Sequence, residues 1–394
     1  MASTGQGKKR PAKPAAKDDS GQQPSGEDAS AEQAPENTQE KPAEKPPENP
    51  MLWMNDSPEW GVRAVPGKRG MTLDDIAIGS YGEIPEQSQE MTRMPRGAFH
   101  VPGVPRLEFY PLSKKVDLWS DNAAGLYEEG IQRRWMAHLD VPWDSIEPLP
   151  RELELSMCQL CTELAQQATI ETDCIGQWIG RMNYAYYEVK TFLASELFDA
   201  ARHYDVFRTR ALANGGTLGL ESPGMINRRI IESRAGWTET AVFLYLLRGS
   251  FTLMLYRYGE AYALNPAEKL LFRLCIQDKA RHLAYGMAHV KYAIAEMGDD
   301  FAVGMLRMMS GVEQDLATEM KDPVLWEALA IIFGGGLENI TSGMEVVKEL
   351  QKRYVNEYIA RMQWVGINKT LENLAPGLAA YTIQEAAQES GAPA

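Results

Sequence analysis

The sequence carries the same five-residue motif twice. Residues 199–203 read DAARH and residues 278–282 read DKARH, so the two copies differ only at their second position. Each copy has Asp and His four residues apart, and on an α-helix this spacing places both side chains on one face. The preceding residues, FLASELF and LFRLCIQ, are apolar enough to predict that both faces point into a core.

Long helical patterns dominate the chain beyond residue 118. Apolar residues recur at helical spacing through residues 150–182, 188–213, 232–264 and 267–298, and the connections between these segments are short. Alternation of apolar and polar residues, the signature of a half-buried strand, is almost absent. The pattern therefore predicts an all-α fold built around an antiparallel helical bundle.

Composition divides the chain into four parts. Residues 1–50 hold no aromatic residue and are rich in Pro, Glu, Lys and Ala, which predicts a disordered tail. Residues 51–118 regain aromatic residues among recurrent Pro and Gly, which indicates an irregular ordered arm packed on the bundle. We assign residues 119–370 to the helical domain and residues 371–394 to a flexible C-terminal tail.

Charge and cysteine content exclude several classes of protein. The formal net charge of −14 disfavours nucleic acid as a partner. The sequence contains no uninterrupted run of about 18 apolar residues, so we expect no membrane span. The chain has four cysteines, too few for a disulfide framework at this length, so we expect buried thiols in a cytoplasmic protein.

The two DxARH motifs resemble the metal-binding motifs of ferritin-like di-iron carboxylate proteins. The similar branch contains the ribonucleotide reductase small subunit and the hydroxylases of bacterial multicomponent monooxygenases, in which the motif is often DEARH. The resemblance covers about residues 150–295 and implies a ferritin-like antiparallel four-helix bundle core, with extra helices and the N-terminal arm outside it. It further implies a buried pocket that brings together His203, His282 and Glu171.

The resemblance also shows where this chain departs from the family. The family's ligand Glu stands three residues before each His, but these positions hold Ala200 and Lys279. Glu171 matches the ligand of the first helix. In the third helix, the stretch LLRGSFTLMLY puts Arg248 at the ligand position, with Glu239 as an alternative.

The charged residues of the motifs are retained. The resemblance gives four of them the role of orienting the ligand histidines: Asp199, Arg202, Asp278 and Arg281. We expect Asp199 to accept a hydrogen bond from His282, and Asp278 to accept one from His203 or a neighbouring arginine.

The substitutions change what such a pocket can bind. A di-iron centre needs about four carboxylates, and three of the four are replaced. Lys279 and Arg248 would add two cations, which repel a divalent metal by several kcal/mol even at an effective dielectric near 20. We therefore expect no metal at full occupancy. The expected alternative is a network in which these two cations pair with three carboxylates: Glu171, Asp199 and Asp278.

Three functions remain open from the sequence. The first is a non-catalytic or ligand-binding subunit of an oxygenase-type complex, as a homodimer or a hetero-oligomer with another ferritin-like subunit. The second is an active non-haem iron oxygenase that uses a rearranged site and binds one or two irons through His203, His282, Glu171 and a motif aspartate. The third is a helical bundle in which the two motifs form buried ion pairs by chance.

Overall fold

The computed structural model describes residues 62–89, 112–222 and 224–382, together with residues 50, 51, 54 and 103. The chain divides into two units, residues 1–58 and 59–394, and every helix named below belongs to the second. Over the described ranges the chain is helical, with isolated β-bridges and no strand. The prediction of an all-α fold is therefore confirmed.

Within the described residues the α-helices are α1 (Ala123–Gln132), α2 (Arg151–Ile179), α3 (Tyr187–Leu212), α4 (Met225–Glu232), α5 (Trp237–Ala241), α6 (Ser250–Ala261), α7 (Pro266–Met297), α8 (Asp299–Glu319), α9 (Pro323–Gly334), α10 (Ile340–Trp364) and α11 (Pro376–Ala379). Short 3₁₀ turns connect several of them, as at Tyr184–Tyr186 between α2 and α3.

Three of the long helices are tied together by one buried arginine. Arg210, near the end of α3, donates to Glu154 in the first turn of α2 at 2.7 Å. It also donates to Glu268 in the first turn of α7 at 2.6 Å. Since the end of α3 meets the beginnings of α2 and α7, α3 runs antiparallel to both. A further helix, α6, precedes α7 and packs against it after the short turn at residues 262–265.

The start of α7 follows from its sequence. The side chain of Asn265 accepts the backbone N–H of Glu268, and Pro266 occupies the first helical position, where no N–H is needed. Glu268 in turn accepts the backbone N–H of Leu264 at 2.7 Å. This helix start places Glu268 under Arg210 and sets the register of the DKARH motif further along α7.

A π-helical segment, Val242–Gly249, lies between α5 and α6. The backbone N–H of Ser250 reaches the carbonyl of Tyr245, five residues back, as well as that of Leu247. All eight residues of the segment are buried. Because π turns hold more residues than α turns, side chains beyond this segment lie on different faces from those that an unbroken α-helix would give.

The N-terminal arm is irregular where the structure describes it. Residues 62–89 and 112–118 contain only two short 3₁₀ turns, Gly79–Tyr81 and Lys115–Asp117. Leu112 and Leu118 are buried, and Leu112 forms a bridge with Met182 at the end of α2. These observations agree with an ordered irregular arm. The predicted tail, residues 1–50, lies outside the described residues except for its last position.

The C-terminal boundary differs from the prediction. Residues 371–382 do not form a flexible tail: Leu374 and Leu378 are buried, and Gly377 lies against Ala317 of α8. Lys369 and Glu313, both fully buried, form an ion pair at 2.6 Å just before this segment. Local periodicity does not predict this packing, because the short apolar run of this segment has no helical period. Residues 383–394 lie outside the described residues.

No single described helix is long and apolar enough to cross a membrane. Two consecutive helical segments are long and apolar enough only when they are taken together, and the chain bends by 101° between them: Pro323–Gly334 and Leu337–Trp364.

Candidate functional site

The two DxARH motifs meet in the core and form a closed ring of ion pairs. Arg202 donates to Asp199 of its own motif at 2.6 Å and to Asp278 of the other at 2.7 Å. Arg281 donates to Asp278 of its own motif at 2.5 Å and to Asp199 of the other at 3.0 Å. Each arginine therefore bridges both aspartates, and α3 and α7 contribute equally to the ring.

Each histidine bonds the aspartate of the opposite helix. Nε2 of His282 lies 3.2 Å from Oδ2 of Asp199, and Nε2 of His203 lies 3.1 Å from Oδ2 of Asp278. Both histidines are completely buried, and their ring centroids are 6.1 Å apart. The expected hydrogen bonds and the expected approach of the two histidines are confirmed.

Lys279 occupies the second position of the DKARH motif and points at α2. Its Nζ lies 2.5 Å from Oε2 of Glu171, and both side chains are almost fully buried. Ala200, the matching residue of the other motif, is fully buried and carries no polar group. The structure thus brings Glu171, Lys279 and His282 into direct contact, with a lysine at the position where the resemblance implies a carboxylate.

Glu196 is a member of the site that the sequence reasoning missed. It is fully buried on α3, its Oε2 accepts from the hydroxyl of Tyr245 at 3.0 Å, and its Oε1 lies 3.7 Å from Nδ1 of His282. One signal was available: Glu196 stands seven residues before His203, two helical turns away on the same face. We call the residues Glu171, Glu196, Lys279 and His282 the Glu171 group.

Neighbouring charges and burial shift the pKa values of the side chains in the Glu171 group. Burial disfavours the charged imidazolium, but Glu196, Asp199 and Glu171 together raise the pKa of His282 to about 10. Burial raises the pKa of Glu196 to about 8, with His282 opposing part of the shift. Burial also opposes ionisation of Glu171, yet Lys279 and His282 hold its pKa well below the usual range.

These directions assign charges within the group. His282 is an imidazolium that donates to Glu171 and Asp199, while Glu196 holds a proton near neutral pH. Oε1 of Glu196 has no hydrogen-bond partner among the described residues unless that proton is present. With the proton, it bonds the facing carboxylate of Glu171. The donors of the Glu171 group are consequently satisfied by its own side chains and Asp199, whereas Nε of the buried Arg202 in the ring has no hydrogen-bond partner among the described residues.

His203 has a different environment from His282. Its Nδ1 faces the hydroxyl of Tyr256 at 3.4 Å, and its ring stacks on Trp135. The indole N–H of Trp135 donates to Asp278 at 2.8 Å. His203 therefore belongs to the ion-pair ring and its aromatic surroundings, and it has no recorded bond to Glu171.

The structure does not bring Arg248 to the Glu171 group. Its Nη2 donates to Glu319 of α8 at 2.8 Å, so the expected pairing with Glu171, Asp199 or Asp278 is wrong for this residue. The next residue, Gly249, faces Lys279: a Cβ there would lie 3.8 Å from Cε of the lysine. The π segment changes the register here, which the α-helical spacing used for the sequence could not reveal. The alternative, Glu239, lies against Gly236 at the start of α5.

The donor atoms present do not suit two irons. Glu171, Glu196 and His282 each offer an atom within 4.8 Å of the others, a spacing compatible with one metal ion. Lys279 already pairs with Glu171, however, and both ring nitrogens of His282 face carboxylates. A dinuclear centre needs more carboxylates than this cluster supplies, since Ala200 is apolar and Lys279 is a cation.

Comparison with known proteins assigns the chain to no family: no family model matches it, and no curated protein matches it.

Proposed function

We propose that the chain is a ferritin-like protein that is related to non-haem di-iron oxygenases and works as a metal-free subunit of an oxygenase-type complex. The resemblance of the two DxARH motifs, on antiparallel helices that place both histidines in one core, supports this relationship. In the similar family, a catalytic ferritin-like subunit is accompanied by a second one without metal, which is the role assigned here.

One observation carries the proposal: the buried ion pair between Lys279 and Glu171 at 2.5 Å. The lysine supplies the positive charge that a metal would bring to Glu171. Removing the buried partner of an ion pair costs about 3–5 kcal/mol, so a metal must displace a stable interaction before it can bind the carboxylate.

Charge balance supports the same conclusion. Four cations, Arg202, Lys279, Arg281 and His282, face four carboxyl groups, Asp199, Asp278, Glu171 and Glu196. Even with the proton on Glu196, the network is within one charge of neutrality. Two divalent ions would add four positive charges to a core of low dielectric, which is several kcal/mol unfavourable.

Under the proposal, the partner of the chain in the complex is a second copy or another ferritin-like chain.

Metal analysis tests the proposal directly. The protein, purified after growth in iron-supplemented medium, is expected to contain well under two irons per chain by elemental analysis. Two irons per chain, with an absorption band that changes on exposure to oxygen, would contradict it.

The spacing of Glu171, Glu196 and His282 favours a second candidate, a non-haem iron oxidoreductase with a rearranged mononuclear site. The usual protein ligand set for non-haem Fe²⁺ is two histidines and one carboxylate, and this cluster offers one histidine and two carboxylates. Anaerobic titration with Fe²⁺ would distinguish the two: one tight equivalent in the unmodified protein supports the oxidoreductase. Tight binding only after Lys279→Ala, and not after the exposed change Lys269→Ala on the same helix, supports the metal-free subunit.

A further inference from the structure

A cavity of about 240 Å³ lies where α2, the end of the π segment, α8 and the start of α9 meet, and it shares no lining residue with the Glu171 group. We call it the α8–α9 cavity. Apolar side chains form much of its wall, among them Leu316 of α8 and Leu325 of α9. It reaches the surface beside Leu220, which is 67% exposed. Pockets for drug-sized ligands are larger, so the cavity suits a small molecule with a short apolar part.

Carboxylates outnumber cations in the lining of the α8–α9 cavity. The lining carries one cation, Arg248, and four carboxylates: Glu163, Glu221, Glu319 and Asp322. Glu319 accepts from Nη2 of Arg248 at 2.8 Å and so neutralises the guanidinium. The other three carboxylates form no ion pair within the described residues, which leaves the lining with an excess of negative charge.

Glu163 supplies a buried carboxylate oxygen that faces the cavity without a partner. The residue is 4% exposed, and its Oε1 accepts from Gln167 at 2.8 Å. Oε2 has no hydrogen-bond partner in the described part of the chain, and it is not one of the unbonded side-chain atoms that are sealed from solvent, so it is open to the cavity. A buried carboxylate without a counter-charge is unfavourable, and a cation bound at Oε2 would offset that cost.

The neighbouring carboxylates add to the negative potential at this oxygen. Burial raises the pKa of Glu163, and Glu319 and Asp322 add to the rise, while Arg248 lowers it in part. All three groups therefore lie close enough to Glu163 to interact with it. Because Glu319 and Arg248 are paired with each other, a positive charge placed at Glu163 is attracted by Asp322 as well.

The geometry of the lining favours a primary ammonium over other cations. Within the described residues, three carboxylate or histidine ligand atoms come within 4.8 Å of one another only at the Glu171 group, so the cavity carboxylates are too widely spaced for three of them to bind one metal ion. A quaternary ammonium needs open aromatic faces, but Phe251 and Trp326 already contact each other edge to face, with ring centroids 5.8 Å apart. A primary ammonium is compact and carries three N–H donors, which carboxylate oxygens accept.

We propose that the α8–α9 cavity binds a small primary amine in its ammonium form. The ammonium group donates to Oε2 of Glu163, and the carboxylate of Asp322 attracts it from the start of α9. The short alkyl chain lies against the apolar wall that includes Leu316. This site is independent of the proposed function, because it requires neither the presence nor the absence of metal in the Glu171 group.

Isothermal titration calorimetry of the full-length protein with n-butylammonium near neutral pH tests the site. The comparison probes are 1-butanol, which has the same chain without the charge, and tetramethylammonium, which has the charge without an N–H donor. Because a hydrogen bond to a buried carboxylate is charge-assisted, n-butylammonium is expected to bind about ten times more tightly than either. No binding of n-butylammonium, or binding no tighter than that of 1-butanol, would overturn the proposal. Equal binding of tetramethylammonium would also overturn it, since it would indicate a general attraction of cations to an acidic protein.

Two variants locate the binding. Glu163→Gln keeps the size of the side chain and an acceptor for Gln167 but removes the charge, and it is expected to weaken n-butylammonium binding about tenfold. Glu327→Gln, which removes the same charge from an exposed position of α9 outside the cavity, is the matched control and should leave the affinity unchanged.

Thermal melts show whether each variant is folded. If Glu163→Gln is not, Asp322→Asn decides, because asparagine caps α9 as well as aspartate does while the charge is lost; its affinity is expected to fall about threefold. Unchanged affinity in the folded deciding variant, or an equal loss in Glu327→Gln, would overturn the proposal.

Discussion

Nζ of Lys279 lies 2.5 Å from Oε2 of Glu171, with α7 supplying the cation and α2 the carboxylate. Both side chains come from buried positions, and His282, one turn beyond Lys279, donates to the other oxygen of the same carboxylate at 3.0 Å. Glu171 therefore accepts from two cations of one helix. We therefore expect the pair to contribute to stability, because both side chains are shielded from water that could replace the missing partner.

Replacing Lys279 by Met is expected to destabilise the protein by about 3–5 kcal/mol, since it leaves Glu171 buried with one cation fewer. Urea unfolding at pH 7 would measure the change. Lys269→Met, an exposed substitution on the same helix, should change the free energy of unfolding by less than about 0.5 kcal/mol. Equal effects of the two variants would show that the buried pair contributes nothing specific.

Replacing Asp278 by Asn is expected to cost about 3 kcal/mol or more, because Asp278 accepts from Arg202, Arg281, His203 and Trp135. Asp205→Asn, an exposed change on α3, is the matched control. Chemical denaturation of both variants gives the comparison. If Asp278→Asn lowers the free energy of unfolding by less than about 1 kcal/mol, the contacts that Asp278 makes in the ion-pair ring do not stabilise the fold as expected.

The stability of the protein is expected to fall as the pH rises from about 6.5 to 10. The folded state raises the pKa of His282 from 6.5 to about 10, so its stabilisation is complete below pH 6.5 and is lost on passing pH 10. The pKa of Glu196 rises from 4.5 to about 8, and this shift also makes stability decrease with rising pH.

Glu196→Gln isolates one part of that pH dependence. The amide imitates the protonated carboxyl group and does not titrate, so the stability of the variant relative to wild type should increase as the pH rises from about 4.5 to about 8 and then stay constant. Unfolding curves at several pH values, with the exposed change Glu327→Gln as control, would measure the difference. Parallel pH profiles for wild type and Glu196→Gln would contradict the assignment of a proton to Glu196.

Adding carboxylates around Lys279 is expected to create affinity for iron only if they replace residues that face this lysine. Gly249 faces Lys279, whereas Arg248 bonds Glu319. The triple variant Ala200→Glu, Gly249→Glu, Lys279→Glu should therefore bind more Fe²⁺ than the same variant with Arg248→Glu in place of Gly249→Glu. A Cβ at Gly249 would lie 3.0 Å from the carbonyl of Leu244, so some loss of stability is expected as well. Equal iron content after anaerobic loading would refute this register.

Deleting residues 371–394 is expected to lower the melting temperature by several degrees, whereas deleting 383–394 should leave it nearly unchanged. The longer deletion removes the buried Leu374 and Leu378 and exposes the surface of α8 beneath them. Calorimetry of the two truncations would show the difference. Equal melting temperatures would restore the predicted flexible tail.

The sequence predicted those parts of the site that depend on the regular α-helical period. Asp and His four residues apart in each motif predicted that the two side chains share a face, and the resemblance of the motifs implied the crossed bonds of His282 with Asp199 and of His203 with Asp278. The pairing of Lys279 with Glu171 followed from opposite charges expected in one buried pocket. The all-α class followed in the same way from long periodic segments.

The parts that were missed depend on tertiary context. The π segment changes the side-chain register before Gly249, and no residue in VFLYLLRG marks that change in a single sequence. Glu196 lies on the predicted face, but a buried glutamate is rare enough that the spacing alone did not select it. The C-terminal segment packs because α8 offers a complementary surface, which local periodicity does not report.

The ion-pair ring also restricts how α3 and α7 can move. Each arginine bonds one aspartate on its own helix and one on the opposite helix, so the four contacts depend on a single axial alignment. Sliding one helix by a turn, about 5.4 Å, would break both crossed contacts and both histidine bonds at once. Any conformational change transmitted through this core must therefore carry α3 and α7 as one rigid body, with the displacement taken up at α1, at α6 or beyond.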